Sequence, residues 1–256
     1  MPAQDHTPPG APCWIDLITS DTGRARSFYS QLLGWTAEEP APGPGGYFLF
    51  RKDNMRVAGY RASQPGSGRP DSWSVYLASH DAAHTLDAAV DQGGQVVVPV
   101  TNVGELGTMA VITDPGGARV GIWQPAAFPG FAVRDQPGTP TWFELHTRDH
   151  QTAVAFYRDV FRWDTHVISD TPEFRLTTIG NAKSQLGGIM DASGYLPMGA
   201  PPYWEVYFAV EDTDRALTTI TRLGGSILKA PQDTPHGRLA AAADPTGASF
   251  KLVGDA

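Results

Sequence analysis

"CWIDLITSDTGRARSFYSQLLGW" occupies residues 13–35, and "TWFELHTRDHQTAVAFYRDVFRW" occupies residues 141–163. Aligned without a gap, the two share Trp14/Trp142, Leu17/Leu145, Thr19/Thr147, Asp21/Asp149, Ala25/Ala153, Phe28/Phe156, Tyr29/Tyr157 and Trp35/Trp163. Asp16/Glu144 adds a chemical match. The likeness continues downstream. "WSVYLASHDAAHTLDAAVDQGGQV" from Trp73 pairs with "WEVYFAVEDTDRALTTITRLGGSI" from Trp204, and "DPGGARVGIW" from Asp114 pairs with "DPTGASFKLV" from Asp244. An offset that stays nearly constant over most of the chain marks a duplication. It predicts two homologous domains, 11–126 and 138–256, joined by a Pro/Gly-rich linker at 127–137.

Each half repeats a smaller unit. A strand-like run, Trp14–Thr19, leads into Asp21, whose carboxylate suits the free amides at a helix start. The helix that follows carries Ala25, Phe28, Tyr29, Leu32 and Leu33 on one face. Strand-like segments come next, around Tyr47–Phe50 and Met55–Tyr60. The order then recurs: strand from Trp73, helix from His80 or Asp81, a stop at "QGG" (Gln92–Gly94), and strands at Gln95–Val98, Met109–Thr113 and Ala118–Trp123. Glycine stops the helix because it accepts the left-handed conformation of a helix end, and "DPGG" signals a turn. The unit is β-α-β-β-β, used four times.

Bulk properties bound the function. The 256 residues are 41% hydrophobic and 18% charged, a globular profile, and the net charge is −8. No Lys/Arg cluster offers the concentrated positive charge that phosphate backbones need, so nucleic acid is excluded as a partner. Cys13 is the single cysteine, so neither an internal disulfide nor a thiolate metal cluster is expected. No run is long and apolar enough for a membrane span, and the N-terminus lacks the pattern of a secretion signal. The expectation is a cytoplasmic protein with no membrane partner, a monomer or homodimer.

A strand, an Asp, a helix bearing "FY" and ending "LLGW", and "DP-x-G" before the final strand together resemble the vicinal oxygen chelate superfamily. That superfamily includes glyoxalase I, bleomycin-resistance proteins and extradiol dioxygenases. "W-x-[DE]-L-x-T-x-D" followed by "FY…[LF]-x-W" is similar to a tandem actinobacterial glyoxalase-like subgroup. The resemblance implies an α+β fold of two tandem domains, each built from two βαβββ modules whose curved mixed sheet surrounds a cavity. The tandem arrangement implies that one chain makes the pairing that single-domain relatives make by dimerising. In metal-dependent members four cavity-facing strand positions supply His, Glu or Gln. Counted from the motifs, they fall here on Trp14, near Gly59, Ser74 and Gly121, and on Trp142, near Gly188, Glu205 and Lys251. Only Glu205 is a ligand type, whereas catalytic metals usually take three protein ligands. The expectation is therefore no metal and no cofactor.

Strand residues two apart share a face. Trp14, Asp16, Ser74, Tyr76, Arg119, Gly121 and Trp123 are expected to line the first cavity. Trp142, Glu144, His146, Glu205, Tyr207 and Lys251 are expected to line the second. Aromatic surface with a few polar groups suits a small molecule, and Trp14 and Trp142 equally suit filling a core. "TNVGELGTM" (Thr101–Met109) and "PQDTPHGRL" (Pro231–Leu239) read as loops that could cover a ligand, and "PAPGPGGY" (Pro40–Tyr47) as a flap or a connector. His80, His84, His150, His166 and His236 read as solvated. The first functional reading is a metal-free protein that holds an aromatic or hydrophobic natural product or pathway intermediate. The alternative is a metal-independent enzyme, a lyase, isomerase or hydroxylase-like step in secondary metabolism. Glu144, His146, Glu205 and Lys251 would then be its acid–base residues. A second alternative is a metal-dependent glyoxalase or dioxygenase using Glu144, His146 and Glu205.

Overall fold

A computed structural model describes residues 7–38, 46–64, 66, 68–181 and 184–255. The Pro40–Tyr47 segment lies outside them except for its last two residues. The first half runs β1 (Pro12–Thr19), α1 (Thr22–Leu33), β2 (Thr36–Ala37), β3 (Phe48–Lys52), β4 (Met55–Ala62), β5 (Ser72–Ala78), α2 (Ala82–Asp91), β6 (Gln95–Asn102), β7 (Gly107–Thr113) and β8 (Arg119–Pro125). The second runs β9 (Pro140–Thr147), α3 (His150–Phe161), β10 (Thr165–Asp170), β11 (Arg175–Asn181), β12 (Ser184–Asp191), β13 (Tyr203–Asp212), α4 (Thr213–Arg222), β14 (Ser226–Thr234), β15 (Gly237–Ala243) and β16 (Ser249–Asp255). The strands form two eight-stranded mixed sheets, ordered β2-β3-β4-β1-β5-β8-β7-β6 and β10-β11-β12-β9-β13-β16-β15-β14. The fold is α+β, each sheet made from two βαβββ modules.

Local chemistry sets the elements. Among the described residues, all four helices start at an aspartate whose carboxylate accepts from the backbone N–H three residues on: Asp21 from Arg24, Asp81 from His84, Asp149 from Thr152 and Asp212 from Arg215. Helix α1 ends at Gly34 with φ 71°, whereas α3 ends at Arg162, a non-glycine residue with φ 56°. In "DPGG" the Asp114 carboxylate accepts from the Ala118 amide at 2.9 Å, and Asp244 does the same for Ala248 at 3.1 Å. The segments Thr101–Met109 and Pro231–Leu239 are not covering loops. They are hairpin strands, with Thr101 opposite Met109 in one and Thr234 opposite Gly237 in the other. Their turns are short enough that backbone pairing consumes the polar groups a loop would leave free.

The compact units do not follow the sequence halves. One gathers the residues up to Cys13, Val75–Gly130 and Phe143–Trp204; the other gathers Trp14–Ser74, Phe131–Trp142 and the residues from Glu205 onward. Each unit thus draws one module from each half of the chain. The reason lies in the repeated residues. In the first unit, Tyr157 on α3 donates to Asp114 at 3.2 Å and accepts from Trp204 Nε1 at 3.1 Å. In the second, Tyr29 on α1 donates to Asp244 at 3.1 Å and accepts from Trp73 Nε1, also at 3.1 Å. Burial, then the neighbouring aspartate, holds both phenols well above the usual tyrosine range. Burial likewise raises the Asp114 carboxyl, against the pull of its hydrogen bonds from Ala118 and Tyr157.

The tryptophans complete the staple. Trp163 Nε1 donates to the Gly10 carbonyl at 2.7 Å, and Trp35 Nε1 donates to the Gly138 carbonyl at 2.6 Å. Gly10 sits at φ 76° with its α-carbon against the Trp163 indole, where a side chain would collide. Rings stack around these contacts: Tyr157 on Trp163 at 4.8 Å in one unit, Tyr29 on Trp35 at 5.6 Å in the other. Phe128 and Val133, between the two repeats, are buried as well. Among the described residues no helix is long and apolar enough to cross a membrane.

Candidate functional site

The first unit brings Glu144 and His146 together. Both lie on β9 two residues apart, so they share a face, and His146 Nε2 stands 3.1 Å from Glu144 Oε1. They are 4% and 2% exposed. Two tyrosines not foreseen from the sequence finish the arrangement. Tyr203, at the start of β13, stacks parallel to the His146 ring, with centroids 5.0 Å apart and planes 11° apart. Tyr195 reaches His146 Nδ1 with its hydroxyl in a hydrogen bond. Glu144, His146 and Tyr195 are thus in line, and the stacked Tyr203 fixes the ring between them.

Tyr195 is held by its turn. The Ala192 amide donates to the Thr147 carbonyl at 2.7 Å, continuing the pairing of β12 with β9, where Met190 stands opposite His146. Leu196 is buried, and its amide donates to the Ala192 carbonyl. The Arg148 guanidinium donates to the carbonyls of Ser193 and Leu196, binding both ends of the turn. Tyr195 itself stays 56% exposed, which makes it the accessible end of an otherwise buried array. A sequence signal existed in "SGYLPMGAPPY", an aromatic-bearing Gly/Pro segment after a strand, but spacing alone does not aim a loop residue.

Other expected residues of this unit lie elsewhere in it. Tyr76 on β5 is buried opposite Gly121 of β8, and its ring fills the space a side chain at Gly121 would need. Trp123 is buried, donating Nε1 to the Phe128 carbonyl at 2.8 Å. Arg119 is half-buried on β8. Burial pushes the Cys13 thiol up, and its sulfur lies 3.4 Å from the Tyr76 carbonyl oxygen. His150 corrects an expectation: it is 7% exposed at the start of α3, not solvated. Burial pulls its pKa down, with Asp191, Arg175 and Asp170 close enough to act on the ring. His80, His84, His166 and His236 are exposed, with His166 on strand β10.

The second unit holds two separate groups. In one, Trp14 Nε1 donates to Asp16 Oδ1 at 3.0 Å and stands 2.9 Å from Tyr47 Oη, while Tyr47 donates to Asp16 at 2.7 Å. Gly59 lies opposite Asp16 on β4, and the Tyr47 hydroxyl and Asp16 carboxylate occupy the place of any side chain there. Phe131, from the segment joining the two halves, stands 5.5 Å from Trp14. In the other group, Lys251 Nζ donates to Tyr207 Oη at 2.7 Å and lies 4.7 Å from its ring centroid. Glu205 and Tyr207 are buried on β13. Ser74 and Trp142 are half-buried. Glu205, Tyr207 and Lys251 belong to this unit, and Glu144 and His146 to the other.

Tested against these residues, a resident divalent ion does not fit. Among the described residues no group of three or more His, Cys, Asp or Glu side chains could hold one. Trp14, Trp142, Gly59, Gly121 and Gly188 offer no side-chain donor. Tyr76 and the Tyr47–Asp16 pair fill the space beside two of those glycines. Lys251 brings a cation of its own.

Comparison with known proteins agrees with the fold. The family model described as "Glyoxalase/Bleomycin resistance protein/Dioxygenase superfamily" matches residues 12–122 and 139–252, and the chain belongs to this family. It is 36% identical, over 99% of its length and 98% of the relative's, to the protein named "Putative glyoxylase CFP32" in Mycobacterium bovis. It is 35% identical, over 96% of its length and 93% of the relative's, to "Anthracycline biosynthesis protein DauV" of a Streptomyces species. In fold it is similar to the Mn(II)-bound glyoxalase from Novosphingobium aromaticivorans, with a TM-score of 0.67, 16% identity, and coverage of 97% of this chain and 83% of that one.

Proposed function

We propose that this chain is a metal-independent binding protein for an aromatic natural product or pathway intermediate. One observation carries the reading: where metal-dependent relatives are expected to place donors, this chain places tryptophan, glycine, serine and lysine, with Glu205 the one ligand type, and Tyr47 and Tyr76 fill the space beside two of the glycines. A scaffold so furnished holds its ligand with rings and hydrogen bonds, the usual make-up of a small-molecule site. Tyr203 and Tyr195 supply aromatic surface, and His146 with Glu144 supplies the polar end. Similarity over most of the chain to an anthracycline biosynthesis protein supports a flat, ring-rich ligand.

The test is a titration of the purified chain with an anthracycline, followed by quenching of tryptophan fluorescence, with and without EDTA. Saturable quenching unaffected by EDTA is expected, with no stoichiometric divalent metal by elemental analysis. A tightly held ion whose removal abolishes binding would refute the proposal.

A further inference from the structure

We infer that Tyr195, His146 and Glu144 form a proton relay that moves a proton on and off the carbon next to a carbonyl in a bound aryl ketone. The inference rests on the binding reading above and adds a reaction to it.

The geometry supplies the argument. Glu144 Oε1 stands beside His146 Nε2, so the proton of the neutral ring resides on Nε2, donated to the carboxylate. The Nδ1 lone pair then faces outward, and Tyr195 Oη is on it. This is the carboxylate–imidazole–hydroxyl order by which a buried acid fixes a histidine tautomer and steadies the imidazolium that forms. Here the hydroxyl is a phenol. The stacked Tyr203 ring prevents the imidazole from turning out of line. Two members are buried and one is exposed, so a ligand meets the relay at Tyr195.

The step balances. Tyr195 gives its O–H proton to His146 Nδ1, and the imidazolium is held by Glu144. The phenolate oxygen takes a proton from the ligand's α-carbon. The C–H bonding pair moves into the carbon–carbon bond, and the carbonyl pair moves onto oxygen as an enolate. Reversal through His146 returns a proton to carbon, the same one or one exchanged with water. Nothing is oxidised or reduced and no co-reactant is needed. The substrate class follows from the base. A phenol ionises near pH 10 in water, which matches carbon acids activated by both a carbonyl and an aryl group. The aromatic walls at Tyr203 and Tyr195 favour such a ligand. Tyr195 is the catalytic residue in this scheme, and His146 and Glu144 act through it.

The test uses the full chain with 2-tetralone in D2O containing EDTA, following deuterium uptake at the carbon between ring and carbonyl by proton NMR. Binding is followed separately by tryptophan quenching. Positioned acid–base groups contribute roughly 100-fold or more, so Tyr195→Phe should lower the enzyme-dependent exchange by about that factor while still binding the ketone. Glu144→Gln should reduce exchange and shift its pH profile. Histidine nitrogen-15 spectra of the wild type should show Nε2 protonated and Nδ1 bare at neutral pH. A wild type that fails to bind 2-tetralone sinks the binding reading for this ligand class and the relay with it. Binding without exchange, exchange that survives Tyr195→Phe, or the opposite tautomer sinks the relay alone.

Discussion

Tyr157→Phe removes one oxygen from the centre of the first unit. That oxygen donates to Asp114 at 3.2 Å and accepts from Trp204 Nε1 at 3.1 Å, and all three side chains are buried. The ring remains, so packing against Phe161 and Trp163 is unchanged. What changes is polar satisfaction. A hydrogen bond to a charged partner contributes about 1.5–3 kcal/mol, and a buried donor left unpaired costs about 1–3 kcal/mol. Asp114 keeps its amide contact with Ala118, so the carboxylate is not stripped bare. The indole N–H of Trp204 loses the phenolic oxygen that accepted from it. About 3 kcal/mol is therefore expected, roughly 6–12 °C in Tm for a chain of this size. The assay is guanidinium denaturation followed by circular dichroism, in a double-mutant cycle with Asp114→Asn. The two changes should be far from additive, because they break the same contact. A loss within about 0.5 kcal/mol, the level of an ordinary surface substitution, or strict additivity in the cycle, would refute the view that this network fastens modules from the two halves. Tyr29→Phe probes the matching contact to Asp244 and should cost a similar amount.

Gly121→Ala forces a methyl group into the Tyr76 ring and should destabilise by about 1–3 kcal/mol, as overpacking does; wild-type stability in the variant would show that the ring moves aside freely. His150 supplies a pH dependence. Burial holds its folded-state pKa below the unfolded value, with Asp191 and Asp170 opposing that shift and Arg175 reinforcing it. The unfolded chain therefore binds the proton first, and stability should fall as pH drops below about 6.5, the ordinary histidine value. Denaturation midpoints between pH 7.5 and 5.5 should decline more steeply in the wild type than in His150→Gln, and equal slopes would contradict the assignment.

The candidate site was only half legible. Glu144 and His146 could be placed on one face because strands alternate, and the 3.1 Å contact between them follows from that period. Tyr195 and Tyr203 could not be placed, since one lies in a turn held by Arg148 and the other starts a strand 57 residues beyond His146. The burial of His150 is hidden from the sequence for a related reason. A helix's first residue usually faces water, and its burial depends on what the helix packs against.

The repeat by itself determined the architecture. Periodic apolar positions, aspartates before helices and a DP-x-G turn are local signals, and duplication doubled each of them. Which duplicated residues fasten the units was decided only in three dimensions. Tyr29 and Tyr157, Trp35 and Trp163, Trp73 and Trp204, and Asp114 and Asp244 recur because each unit joins a module from either half, and the same fastening is needed twice. Glu144–His146–Tyr195 is not duplicated, for Asp16 and Ile18 stand where Glu144 and His146 do. Its members come from a strand and a distant turn, and a hydrogen bond between such elements depends on how the chain folds back, which no local pattern encodes.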